Sequence, residues 1–304
     1  MTKDVIRVDS LTKEYDGTVA VDGITFTVKD GEIFSMVGPN GAGKTTTVEI
    51  LECLKSPTSG EAEVLGYDIE KDETKIKENI GVMPQDFNTF ERLTAKENIQ
   101  LMADLYGTDN VKEVMEMVGV TGFGGKKFSE LSGGMKTKVG IGMTLVSEAD
   151  LLFLDEPTTG LDPHARRETW NLIKELKDKG KTIFLTTHYM EEVEELSDRA
   201  AVLIDGNIEV VDSIKKLIEE HGGGIKIKVG ENEEAEELIR NNADEVLSAE
   251  GGYLIGIFDS KRKARDIISR LFQMDCEVEV QEAGMEEVFL RLTGGKLDEG
   301  GELV

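Results

Sequence analysis

Cysteine is nearly absent from this chain. There are two, Cys53 and Cys276, far apart. That excludes a disulfide framework and a cysteine-rich zinc site, and leaves buried thiols in a reducing compartment as the expectation. Basic charge is also short: 35 Lys and Arg stand against 61 Asp and Glu, a net charge of −26. Phosphate neutralisation needs clustered Lys and Arg, so unassisted nucleic-acid binding is not expected. The same acidity opposes an anionic lipid surface. No direct lipid anchor is therefore expected, and any work at a membrane needs a protein partner. No apolar run approaches the ~18 residues of a membrane-spanning helix. The first residues, MTKDVIRVDS, lack the basic-then-apolar pattern of a signal segment. What is present is a hydrophobic content of 39%, enough for a real core, on 304 residues, a length that suggests about two domains.

Hydropathy patterning divides the chain. VIRVD (5–9) and ITFTV (24–28) alternate as strands do, and EIFSMV (32–37), IGVMPQ (80–85), LLFLDEP (151–157), TIFLTTH (182–188) and AAVLIDG (200–206) are short apolar runs of the kind buried in a parallel sheet. Strands alternating with helices predict an α/β fold. From about 87 to 147 helical spacing replaces strand signals, which predicts a helical insertion. Composition changes again at His221-Gly222-Gly223-Gly224. The order strand-helix-strand-strand-helix-strand follows, with a hairpin read around Gly251-Gly252, and predicts a small ferredoxin-like α+β domain. MEEVFLRL (285–292) reads as a last helix, and residues 295–304 as a disordered acidic tail.

Two motifs carry phosphate chemistry on their own residues. Gly38-Pro39-Asn40-Gly41-Ala42-Gly43-Lys44-Thr45 fits G-x-x-x-x-G-K-[ST] between a strand and a helix. Its glycines let backbone N–H groups curl around phosphate oxygens, and the helix N-terminus adds a positive dipole end. Lys44 supplies a cation to the β and γ phosphates, and the Thr45 hydroxyl is placed for Mg²⁺. Asp155 and Glu156 end a buried strand, where Asp155 can hold Mg²⁺ and Glu156 can orient or deprotonate an attacking water. Ser132, Gly133 and Gly134 cap a helix N-terminus, a second anion-binding device or a plain cap.

In this order the phosphate loop, LSGG and LFLDEP resemble the ATP-binding subunit of ABC transporters, over residues 5 to about 217. The resemblance implies an ATPase with ATP and Mg²⁺, working as a head-to-tail pair of copies. Each ATP would lie between the loop Gly38–Thr45 with Thr46 of one copy and Ser132, Gly133 and Gly134 of the other. It further implies that Tyr15 stacks on adenine, that Gln85 touches Mg²⁺ and water, and that Asp162 couples the two sites. His188 would contact the γ-phosphate and, with Lys44 and Glu156, serve catalysis. Met135 stands where Gln is commoner in the family. Residues 1–220 would then form the ATP-binding domain and 221–294 an accessory domain. MEEVFLRLTG (285–294) resembles the drug-exporter branch typified by the daunorubicin-resistance ATP-binding subunit. That implies a cytoplasmic subunit held at the inner face of the cell membrane by a separately encoded permease, powering export of a drug-like or lipid-like substrate. Phe87 and Phe90 would either meet that permease or pack inside the insertion. The rival reading, a soluble ATPase of the same type acting on nucleic acid or ribosomes, is disfavoured by the single cassette and the charge.

Overall fold

The computed structural model describes residues 3–85, 87, 89–230, 232–248, 253–274 and 276–293. It divides into two compact units, Met1–Asp212 and Ser213–Val304.

In the first unit β1 (Asp4–Tyr15) and β2 (Thr18–Lys29) pair antiparallel. β3 (Ile33–Val37) is buried at every position and runs through the Gly38–Gly43 loop into α1 (Lys44–Leu51). β4 (Ser59–Val64) and β5 (Tyr67–Asp68) complete a four-stranded sheet in the order β2-β1-β4-β5. α2 (Glu73–Asn79) leads into β6 (Ile80–Met83). Among the described residues three α-helices follow, α3 (Ala95–Tyr106), α4 (Val111–Met117) and α5 (Gly133–Leu145), with a 3₁₀ turn, Phe128–Glu130, ahead of α5, before the chain returns as β7 (Leu151–Asp155) beside β6. α3 starts where Thr94 and Glu97 cap each other's backbone N–H groups reciprocally.

α6 (Pro163–Asp178), β8 (Thr182–Thr187), α7 (Met190–Leu196), β9 (Arg199–Ile204) and β10 (Asn207–Ser213) follow. The six-stranded sheet has the order β10-β9-β3-β8-β7-β6. Its pairs β9–β3, β3–β8, β8–β7 and β7–β6 are parallel. β3, β7 and β8 are wholly buried because both faces are covered, which is why they read as mainly apolar runs rather than alternations. One core joins this sheet to α3–α6, with Trp170, Leu152 and Ile183 in it. The other joins it to the antiparallel sheet and α1, around Phe26 and Phe34 stacked at 5.5 Å with Phe184 against them. In such a sheet the loops beyond the carboxyl ends of the strands are where ligands bind. Here those loops are 38–43 after β3, 84–94 after β6, 156–162 after β7 and 188–189 after β8.

The second unit opens with α8 (Ile214–Leu217) and a π-helical turn, Ile218–Gly222. It continues as β11 (Ile225–Val229), α9 (Glu233–Asn242), β12 (Glu245–Ser248), β13 (Leu254–Phe258), α10 (Lys261–Leu271), β14 (Val278–Glu282) and α11 (Met285–Thr293). Its sheet is antiparallel, in the order β12-β13-β11-β14, with Ile227, Val229, Leu238, Ile239, Phe258 and Ile267 in its core. This unit starts before the glycine run at 222–224, where sequence put the joint. The reason is packing: α11 lies on α8 and the π-turn, and Ile214 and Leu217 are buried. The hairpin turn read at Gly251-Gly252 and the acidic tail 295–304 lie outside the described residues.

Candidate active site

The phosphate loop is built on close backbone approach. A Cβ on Gly38 would come within 2.1 Å of the Leu203 carbonyl oxygen, and one on Gly43 within 2.3 Å of that of Ala20. Gly43 also sits at φ 104°, in the left-handed region that favours glycine. Both positions therefore exclude a side chain. α1 begins directly after them, so its unpaired N–H groups open into the loop. Lys44 is 5% exposed. Its Nζ donates to the carbonyl oxygens of Gly38 at 2.7 Å and Pro39 at 3.1 Å, and lies 3.8 Å from Glu156 Oε1. Burial lowers its pKa, and the charges of Glu156 and Asp155 oppose that fall.

β7 delivers the acidic pair to the same place. Asp155 accepts a hydrogen bond from the Thr186 hydroxyl, and the Thr45 hydroxyl lies close enough to favour its ionised form. Burial raises its pKa, against those two hydroxyls and the Lys44 charge. Glu156 is 9% exposed and stands at φ 48°. Its N–H is held by the carbonyl and hydroxyl oxygens of Thr186, each at 3.1 Å. Its carboxyl meets four groups: His188 Nδ1 at 3.3 Å and Lys44 Nζ on Oε1, and Gln85 Nε2 and Thr159 Oγ1, each at 3.0 Å, on Oε2. Burial alone would raise this carboxyl's pKa, but His188, Lys44 and Thr159 outweigh it and hold it below the usual carboxylate range. An ionised, fixed carboxylate beside a buried ammonium at the phosphate-loop motif is equipped to take a proton from water.

The structure thus brings Lys44, Thr45, Asp155, Glu156, Gln85 and His188 into one cluster. Pro39, Asn40, Gly41, Ala42 and Thr46 surround it on the loop and the first turn of α1. Other candidates lie outside the cluster. Ser132 caps α5 by accepting from the Met135 N–H, and a Cβ on Gly134 would stand 2.7 Å from that of Ala165 on α6. Asp162 caps α6 through the N–H groups of His164 and Ala165, each at 3.0 Å. Tyr15 lies at the end of β1 with the ammonium groups of Lys13 and Lys55 about its ring at 5.0 and 5.3 Å. Among the described residues no group of three or more His, Cys, Asp and Glu is arranged to hold a metal. The pair Asp155 and Thr45 offers oxygen ligands to a cation that keeps most of its waters, as Mg²⁺ does.

Sequence reasoning missed Thr159 and Thr186, which hold Glu156 and Asp155. The available signal was a pair of Thr residues at the end of an otherwise apolar strand, TIFLTTH, since a hydroxyl buried there needs a partner. Phe87 is not a surface anchor: its ring packs edge-on against Phe128 at 6.1 Å, whereas Phe90 is 63% exposed.

Comparison with known proteins identifies the family. The family profile described as ABC transporter matches residues 21–159, which includes the phosphate loop, Gln85, Ser132 and the acidic pair. A second profile, described as an AAA domain of a putative AbiEii toxin of a type IV toxin–antitoxin system, overlaps it over 126–194. The linearmycin resistance ATP-binding protein LnrL of Bacillus subtilis (strain 168) is 34% identical over 96% of this chain and 99% of its own length. The daunorubicin/doxorubicin resistance ATP-binding protein DrrA of Streptomyces peucetius is 33% identical over 97% of this chain and 94% of its own. Among solved structures, a dimeric ATP-binding cassette in a post-hydrolysis state bound to ADP and Pi superposes with a TM-score of 0.62 at 28% identity, covering 68% of this chain and 98% of that one.

Proposed function

The chain belongs to the ATP-binding subunits of ABC transporters, and from that premise we propose that it powers export of an amphiphilic, drug-like compound through a permease in another chain. The fold is that of an ABC ATPase, and ATP is its substrate. The observation that carries the mechanism is the Glu156 carboxyl, buried, ionised and held by His188, Thr159, Gln85 and Lys44.

The phosphate loop N–H groups and Lys44 bind the β and γ phosphates. Asp155 and Thr45 would hold Mg²⁺, which when bound would supply charge neutralisation on the phosphates. Glu156 orients water and takes its proton, while His188 fixes Glu156 and reaches the γ-phosphate. Gln85 senses the same carboxylate from the loop after β6. Tyr15 receives the adenine. Ser132, Gly133, Gly134 and Asp162 stand outside this cluster, and we assign them to the ATP of a second copy, in a head-to-tail pair that ATP closes. That assignment is supported by the dimeric state of the solved relative bound to ADP and Pi.

Export is supported by the resistance functions in the names of LnrL and DrrA, which match nearly the whole length. No helix among the described residues is long and apolar enough to cross a membrane, so a transmembrane path is assigned to the permease, with this subunit on its cytoplasmic side. We read the unit Met1–Asp212 as the ATP-binding domain and the unit that opens at Ser213, rather than at residue 221, as a ferredoxin-like accessory domain. The second reading rests on its strand-helix-strand-strand-helix-strand order and its sheet order β12-β13-β11-β14.

The test is Glu156→Gln. It keeps the size and removes the base, so Mg-ATP binding should persist while hydrolysis slows by roughly 10²–10⁴-fold. Light scattering at saturating ATP should then find a dimer. Unchanged hydrolysis would sink the role of Glu156, and a monomer would sink the shared site. Lys44→Ala should instead weaken ATP binding itself.

A further inference from the structure

Glu192 is on α7, away from the cluster described above, and is 0% exposed. A carboxyl is seldom buried so completely unless polar partners hold it. Here Thr158 Oγ1 donates to its Oε1 at 2.8 Å and Trp170 Nε1 donates to the same oxygen at 2.9 Å. The Thr187 hydroxyl lies close enough to the same carboxyl to favour its ionised form. Thr158 and Thr187 are themselves buried, at 0% and 1% exposed. Each stands immediately before a residue that touches Glu156. Thr159, after Thr158, donates to Glu156 Oε2, and His188, after Thr187, lies against Oε1. One carboxyl is therefore bonded to the first of the loops that flank the hydrolytic carboxylate and lies against the second. The second of these loops is also tied to α6: the Arg166 guanidinium lies over the Tyr189 ring at 4.8 Å, and within the loop the Tyr189 N–H donates to Thr187 Oγ1 at 3.0 Å.

We propose that Glu192 is a positioning residue of the ATPase site, fixing through Thr158 and Thr187 the loops that present Thr159 and His188 to Glu156. The inference rests on the reading of Glu156 given above. Glu192 is fully buried and acts through its neighbours. Burial pushes its pKa above the usual carboxylate range, against its hydrogen bonds and the Arg166 charge. A glutamine at this position keeps the shape and an acceptor oxygen, whereas a leucine removes the acceptor from Thr158, Thr187 and Trp170.

The experiment compares Glu192→Gln and Glu192→Leu in the full chain. It measures kcat, equilibrium ATP binding, and the imidazole ¹⁵N resonances of the three histidines. Misplacement of a catalytic group costs up to about 100-fold, so Glu192→Leu should lose roughly ten- to 100-fold in kcat with ATP affinity held within about two-fold. Its His188 resonances should shift while those of His164 and His221 stay. Glu192→Gln should restore kcat and the His188 resonances. A Leu variant with wild-type kcat and unmoved His188 would overturn the proposal, as would ATP affinity falling by the same factor as kcat, or a Gln variant no better than Leu. Should the Leu variant not fold, Thr158→Val and Thr187→Val carry the same expectation, and wild-type kcat in both would overturn it. Full turnover in Glu156→Gln counts instead against the reading of the site, and the His188 resonances report the Glu192 anchor independently of turnover.

Discussion

At the scale of single residues, the interior behind the phosphate loop holds a carboxyl that hydrolysis does not use. Glu52 caps the end of α1 and is 5% exposed. Burial pushes its pKa from 4.5 up to about 8, and the charges of Asp155 and Glu49 add to the rise. The folded chain therefore keeps Glu52 neutral over a range in which the unfolded chain ionises it. The resulting stability is fully present below pH 4.5 and is lost as pH rises to about 8. Glu52→Gln removes the linkage. Denaturant melts should find it more stable than wild type by on the order of 3 kcal/mol at pH 8, and by much less at pH 5. Parallel pH dependences in the two proteins would contradict this. Lys44, Asp155 and Glu156 were legible because their motifs are contiguous and their chemistry needs no distant partner. Glu52, Thr186 and Glu192 were not, because what makes each one matter lies elsewhere in the chain: Glu192 meets Trp170 from 22 positions away and Thr158 from 34.

At the scale of elements, the buried strands of the large sheet declared themselves through mainly apolar runs, since both faces are covered and only Ser35 and the threonines of β8 interrupt them before the acidic end of β7. The two phenylalanines of the insertion did not. Phe87 and Phe90 are three residues apart in the same loop, yet only Phe87 is packed. Its place is made by α5, where a Cβ on Gly140 would stand 2.8 Å from the Phe87 ring. No local pattern around 87 reports a missing side chain at 140. Phe87→Ala should lower stability by about 3 kcal/mol, the lower end of the range for truncating a packed aromatic. Phe90→Ala should stay within about 0.5 kcal/mol. Thermal melts of the two variants check this, and equal losses would mean that the loop packs otherwise. A change in transport with unchanged stability in Phe90→Ala would mark it as a permease contact.

At the scale of the whole molecule, composition announced the second unit and misplaced its first residue. Glycines at 222–224 look like a joint, since glycine permits many backbone states. Yet Ile214 and Leu217 lie ahead of them and are buried in the second unit, on the α11 side. An amphipathic turn this short carries no sign of which unit it joins. The two boundaries predict different behaviour on truncation. A chain ending after Asp212 should remain soluble and bind ATP, since the nucleotide motifs end at His188. A chain ending after Glu220 keeps Ile214 and Leu217 but loses α11, so it should aggregate sooner on heating. Turbidity on heating and nucleotide titration of both fragments separate the cases, and an ATP-blind fragment 1–212 would overturn the modular reading.

Lys44 carries a last consequence. Its ammonium is tied to two carbonyls of its own loop. The rotamer freedom of a lysine, worth about 2 kcal/mol when lost, is therefore surrendered on folding rather than on nucleotide arrival. ATP meets a pre-organised cation, and the entropy spared corresponds to roughly 30-fold in Kd.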